Sequence, residues 1–382
     1  MHVDICHCFL DSQPNMADID ATNHYDLQDK SEDDKPEDTE GELTIVGTDY
    51  SYTHRIIWPI VMVYVVMHIG AITGLLLVLG GNVKIASIIW AVFYSLVATE
   101  GAHMGAHRCF SHRAFKAKPL LKVILLIMQT ISGQHSTYIW CRDHRQHHRY
   151  SDTDGDPHNS KRGMFYSHVG WLMTSRHPLC KKLRKTIDMS DLQQDPLVMF
   201  QYRYFRSLFF TFGFLLPVWV PMHFFQESFT NAVFVCFFLR YVYALHVTYF
   251  VNSLAHKYGT RPYDKTIQPV ETWFVSLLSL GEGWHNYHHA YPWDYKAAEI
   301  GMPLNSTASL IRLCASLGLA YDLKSVDPET LNKRIMNKGD GTYEVKYLQE
   351  HVTAIGPLHP LNPSYRGTCP DPEIKLKVRM KP

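Results

Sequence analysis

Charge is scarce in this chain. Only 19% of its 382 residues are Asp, Glu, Lys or Arg, and the formal net charge is +1. A balance so near zero gives a nucleic acid no electrostatic footprint, and that class of partner is set aside. The eight cysteines are scattered, with no repeated Cys-x-x-Cys pair and no even framework. A reduced, cytosol-facing protein is expected. Residues 1–50 lack a basic stretch leading into an apolar one, so no cleavable signal peptide is read there. Asp18 to Glu42 is instead an acidic run without an apolar face, and residues 1–50 are expected to form a disordered tail. There is no Gly-x-Gly-x-x-Gly fingerprint and no His-Pro-Gly-Gly haem-binding segment. Neither a bound nicotinamide nor a fused haem is therefore expected.

What the chain has is apolar length. With 46% hydrophobic and 13% aromatic residues it reads as membrane-embedded. A crossing needs about 20 residues of helix. Four segments reach that length, at 56–80, 85–105, 207–225 and 232–252. The joints between the first two and the last two are short enough to make helical hairpins. Pro119–Gly133, a shorter apolar run, is expected to be interfacial or buried in protein. Arg108–Arg206, between the hairpins, carries about 17 Lys and Arg, whereas the two short joints carry only Lys84. The positive-inside rule then puts that segment and both termini in the cytosol.

On this side lie three histidine clusters: His107 with His112, His144-x-x-His147-His148, and His285-x-x-His288-His289. Spacings of three and four put side chains on one helical face, within about 60° of each other. Two or three imidazoles of each triplet can thus point at one metal. His107 and His112 are about 140° apart on a continuous α-helix. They can both bind only if the helix ends between them or if they serve different metals. Imidazole suits iron, zinc, copper and nickel alike. The absence of Glu-x-x-His pairs excludes the soluble carboxylate di-iron pattern. A single His-x-x-His-His is as easily a solvated basic loop, but three clusters on one side of four spans are not. His103, His135 and His246 belong to no repeated spacing and are read as packed or hydrogen-bonded residues. The aromatics of 200–210 and 234–249 are read as packing or lipid-facing.

Longer strings make the chain recognisable. Arg142 to Asn159, Arg162-Gly with Ser167-His-Val-Gly-Trp171, Asn252-Ser-Leu-Ala-His256, Arg261 to Lys265 and Gly281 to Tyr295 together resemble the membrane acyl-CoA Δ9 desaturases, the stearoyl-CoA desaturase family. The resemblance runs from about Trp58 to Leu323. It implies two Fe(2+) ions held by His107, His112, His144, His147, His148, His256, His285, His288 and His289, with Asn252 reaching one iron through water. His256 enters only through the resemblance. O2 is then co-substrate, a fatty acyl-CoA such as palmitoyl- or stearoyl-CoA loses two hydrogens to give a cis double bond, and electrons come from cytochrome b5 and its NADH-dependent reductase. The endoplasmic reticulum membrane is the implied location.

The resemblance also implies substrate-binding residues. Gln134, Trp140 and Thr248 are expected at the bend of an acyl tunnel, Arg142, Asp143 and Arg176 near the CoA group, and Ser95 and Thr99 at the tunnel floor. Departures from the vertebrate pattern are His135 for Asn, Tyr249 for Trp, Ser175-Arg176 for two basic residues, Ser95 for Tyr and Thr99 for Ala. The expected architecture is an all-α integral membrane protein, with four transmembrane helices in two hairpins and a cytosolic helical cap holding the histidine site. The desaturase domain is expected over 51–325 and a cytosolic C-terminal tail over 326–382. A di-iron hydroxylase, or a desaturase of other regiospecificity, is the nearest alternative. A histidine-rich transporter is the alternative from another class, and it is disfavoured because the clusters sit at span ends and not at the midplane.

Overall fold

The computed structural model describes residues 47–299 and 304–343. The acidic run of the N-terminal tail lies outside the described residues, as does the C-terminal stretch from 344 onward. Four helices are long and apolar enough to cross a bilayer: Trp58–Leu79, Ile85–Ser111, Pro196–Phe224 and Phe229–His256. The protein is an all-α, multi-pass membrane protein.

Local chemistry sets the helix starts. Proline stands in the first turn of Trp58–Leu79, Pro119–Ser132 and Pro196–Leu208, where its missing N–H costs no bond. Asp195 caps the last of these, accepting from the Leu197 amide at 3.0 Å. The second and fourth spans continue past their expected ends at 105 and 252, to Ser111 and His256. Hydropathy gives out at the histidines, but the helices do not, because every residue of Gly101–Ser111 is buried in protein.

Pro119–Ser132 is an apolar helix of 14 residues, shorter than the about 20 that a crossing needs. It lies against the second span at Gly101, where an added Cβ would run into the backbone of Met128. The first span packs against the fourth. Gly70 faces the ring of Phe238, and at Gly74 the Phe234 carbonyl leaves no room for a Cβ.

Where the second span ends, a core forms from its Phe110 with Phe115, Leu125, Tyr138, Met189 and Ile311. A two-residue antiparallel pair, Lys116–Ala117 with Ala320–Tyr321, ties its ends. In the stretch expected as a tail, the helix Pro328–Lys338 buries Leu331 and Ile335 against Tyr263, Tyr287 and Tyr291. The packed body therefore extends beyond residue 325. Cys109, Cys141, Cys180, Cys236 and Cys314 are free thiols.

Candidate metal centre

All nine histidines of the expected ligand set meet at the end of the spans, in two groups. His107, His112, His144, His148 and His288 have ring nitrogens within 4.8 Å of one another, and so do His147, His256, His285 and His289. Each triplet is divided between the groups. Its outer pair, four residues apart, shares one group, and its middle histidine turns to the other: His144 and His148 against His147, His285 and His289 against His288.

His107 and His112 reach the same group by a route that α-helical geometry does not offer. Gly101–Ser111 winds as a π-helix, and the His112 amide donates to the His107 carbonyl at 3.2 Å. The i→i+5 bonds of such a helix widen its turn, so a step of five residues overshoots a full turn by much less than in an α-helix and the two rings stand on one side. The helix also ends between them, at Ser111.

The ring nitrogens converge as metal ligands do. Nε2–Nε2 separations are 2.9 Å for His107–His288, 2.8 Å for His112–His144 and 3.0 Å for His148–His288. In the second group they are 3.3 Å for His147–His289, 3.2 Å for His256–His285 and 3.1 Å for His285–His289. Imidazoles bound at about 2.1 Å and near right angles to each other would be about 3.0 Å apart. The donor set therefore fits an ion in each group.

Carboxylates fix which nitrogen faces inward. Glu282 lies 3.0 Å from His107 Nδ1, Asp156 2.8 Å from His147 Nδ1 and Asp152 3.1 Å from His256 Nδ1. Asp156 and Asp152 accept from the Nδ1–H of their rings, and Glu282 stands beside that of His107, which leaves an Nε2 lone pair toward the centre in each. Arg108 in turn holds Glu282, donating at 2.7 Å. Burial works to raise the Glu282 carboxyl, but Arg108 and His107 together keep it well below the usual range. Burial, then neighbouring imidazoles, push His112, His144, His148, His285, His288 and His289 well below the ordinary histidine value. They are neutral at pH 7, the form that binds a metal. At His147 burial acts the same way, but Asp156 outweighs it and raises the ring.

These three carboxylates were missed by sequence reading. Their only signals are an Asp-rich run straight after the second cluster and a Gly-Glu-Gly just before the third. His158 was missed too: its ring lies 4.3 Å from that of His147, beside Asp156. His103, His135 and His246 stand outside both groups.

Among the expected substrate residues, three meet from three elements. Gln134 donates to Thr248 Oγ1 at 2.9 Å and accepts from Trp140 Nε1 at 3.2 Å. The Trp140 ring stacks on His144 with centroids 4.8 Å apart, so this trio abuts the first histidine group. Ser95 and Thr99 are buried on the second span, where neighbouring Tyr94 and Ala98 pack on Ile131 and Ala244. Asn252 lies on the fourth span one turn before His256. Asp143 is surrounded by Arg176 at 2.7 Å, Arg142 at 3.6 Å and Arg184 at 3.6 Å. Burial would raise its carboxyl, yet the guanidiniums hold it well below the usual range. Arg142 Nε and one terminal nitrogen of Arg176 are buried without a hydrogen-bond partner.

The family model for fatty acid desaturases matches residues 82–307. Over 295 residues the chain is 45% identical to an acyl-CoA Delta-9 desaturase of Acheta domesticus, covering 77% of this chain and 82% of the relative. It is 46% identical over 288 residues to the stearoyl-CoA desaturase of Homo sapiens, covering 75% and 80%. An acyl-CoA Delta12-desaturase of Acheta domesticus is 43% identical over 295 residues, covering 77% and 82%. The chain belongs to the fatty acid desaturase family, and is an oxidoreductase of that kind.

Proposed function

We propose that the protein is an acyl-CoA Δ9 desaturase that uses two Fe(2+) ions, O2 and electrons from cytochrome b5 to place a cis double bond in a saturated fatty acyl-CoA. The carrying observation is the two groups of converging Nε2 atoms beside the Gln134–Trp140–Thr248 trio. His107, His112, His144, His148 and His288 would hold one ion, and His147, His256, His285 and His289 the other, with Asn252 acting through water. Ferrous ions held there would supply the activation of O2 and the removal of two hydrogens from adjacent methylenes.

The chain's own residues do the positioning. Glu282, Asp156 and Asp152 orient three of the rings. Trp140, held by Gln134, offers an apolar face against His144, where an acyl chain can bend and water is excluded. Ser95 and Thr99 close the tunnel. Arg142 and Arg176 carry buried donors without a hydrogen-bond partner, and phosphate oxygens of CoA match such donors.

An open cleft of about 330 Å³ supports electron entry, since His112 lines it together with Arg113, Arg145 and Trp293. Around it Arg113, Arg145 and Arg149 outnumber the one carboxylate, Asp188, and an acidic electron-carrying protein suits that rim. The basic segment between the span pairs supports cytosolic termini and an endoplasmic reticulum membrane, and the packed body 51–338 is read as one desaturase unit.

The Delta12 relative is the observation that favours a second reading, a desaturase of other regiospecificity, because its identity is close to that of the Delta-9 relatives. Expression in desaturase-deficient yeast, with double bonds located by mass spectrometry, separates the two. Products unsaturated at carbon 9 support the proposal; a bond at carbon 12 supports the second reading.

A further inference from the structure

Arg240 lies well inside the fourth span, 2% exposed, and none of the roles above uses it. A guanidinium at such a depth is rare, and it persists where it does a task. Among the described residues it pairs with no carboxylate, and backbone carbonyls take its edges instead. Its Nε donates to Cys236 at 3.2 Å, one terminal nitrogen to Ile131 at 3.2 Å and the other to Gly213 at 3.0 Å. The rings of Tyr94 and Tyr241 cover it, with centres 5.4 and 5.9 Å from the guanidinium carbon. Tyr94 is fixed in turn, its hydroxyl donating to the Phe212 carbonyl at 2.6 Å. One side chain thus ties the fourth span to the second, to the third and to the end of Pro119–Ser132.

Its depth matches the length of an acyl chain. Arg240, Ala244 and Thr248 stand on successive turns of one α-helix, and Thr248 belongs to the trio at the proposed bend. At about 1.5 Å per residue, Arg240 is about 12 Å deeper than Thr248. Carbon–carbon bonds of about 1.5 Å advance an extended chain by about 1.25 Å per carbon, so nine carbons beyond the bend cover about 11 Å. The methyl end of an 18-carbon chain therefore arrives at the level of Arg240 and of Tyr94, the neighbour of Ser95. A floor of apolar side chains can admit a further methylene by changing rotamers. Arg240 cannot yield in that way, because moving it breaks three charge-assisted hydrogen bonds where no water replaces them.

We propose that Arg240, held together with Tyr94, is the end stop of the acyl tunnel and sets the longest acyl chain the enzyme accepts. It is a positioning residue: it fixes the wall that the methyl end meets, and Ser95 and Thr99 tune the choice among chains below that limit. The inference rests on the desaturase reading.

The experiment uses the full chain in yeast microsomes with added iron and saturated acyl-CoAs of 16, 18, 20 and 22 carbons. Arg240→Met keeps a long side chain but makes none of the carbonyl bonds. It should raise the ratio of kcat/KM for 20 over 18 carbons at least tenfold, with kcat on 18 carbons and the double-bond position unchanged. Tyr94→Leu leaves the three carbonyl bonds in place and should raise the same ratio, and it decides alone if Arg240→Met does not accumulate. Arg240→Lys, which keeps a donor for the carbonyls, should hold the wild-type ratio. A merely structural role would lower turnover of every length together. Wild-type ratios in Arg240→Met and Tyr94→Leu overturn the end stop, as does a wild type that takes 20 and 22 carbons as readily as 18. If wild type forms no product from any length, the desaturase reading fails. The rise in thermal midpoint given by each acyl-CoA then still shows whether the limit moves in the variants.

Discussion

Asp156, Asp152 and Glu282 stand behind three of the imidazoles that could hold a metal ion. Each fixes one imidazole from behind, and removing such a partner typically costs 10–100-fold in metal affinity or activity. Asp156→Ala is therefore expected to lose bound iron and desaturation by roughly that factor, measured by metal analysis and product yield on one sample. Iron content equal to wild type would show that packing alone orients His147. By contrast His103→Ala should keep its iron, because His103 belongs to neither group, whereas His288→Ala should lose it. The histidines of the two groups were largely legible in the sequence, since spacings of three and four declare a shared face. Their partners were not. Asp152 and His256 are 104 positions apart, and only folding brings them together. An aspartate in an Asp-rich turn reads equally well as a solvated loop.

At the scale of elements, two features escaped the periodic reading. A π-helix cannot be told from an α-helix by hydropathy, so the sharing of one group by His107 and His112 required the fold. Span neighbours were equally hidden: the first helix is apolar all round, and nothing in its pattern says that it packs on the fourth. Two glycines make that contact. Gly74→Leu should therefore destabilise the protein by about 1–3 kcal/mol, the usual cost of overpacking, through collision with Phe234. A lowered thermal midpoint in detergent checks this, and an unchanged midpoint would place the two helices further apart. What the sequence did declare was the four long apolar helices, the short joints within each pair and the shorter length of Pro119–Ser132, because apolar length decides those.

For the molecule as a whole, predictions concern the acyl chain that is taken and the metal that is held. Ser95 and Thr99 are i, i+4 on the second span and share a face. Opening space for one or two methylenes favours the longer chain by roughly 1–3 kcal/mol. Thr99→Ala should shift preference from 16 toward 18 carbons and Ser95→Tyr the other way, with the double bond fixed, since its position is measured from the CoA end. Competition between 16- and 18-carbon substrates reads this; equal ratios in both variants would remove the pair from the floor. Imidazole ligands also bind zinc more tightly than ferrous iron. Overproduced protein is thus expected to carry zinc and to be inactive until iron replaces it. The most direct measurement is metal content and desaturation on the same purified sample. The account predicts two irons per chain in active protein, with activity falling as zinc displaces them; full activity in protein shown to be free of iron would contradict it.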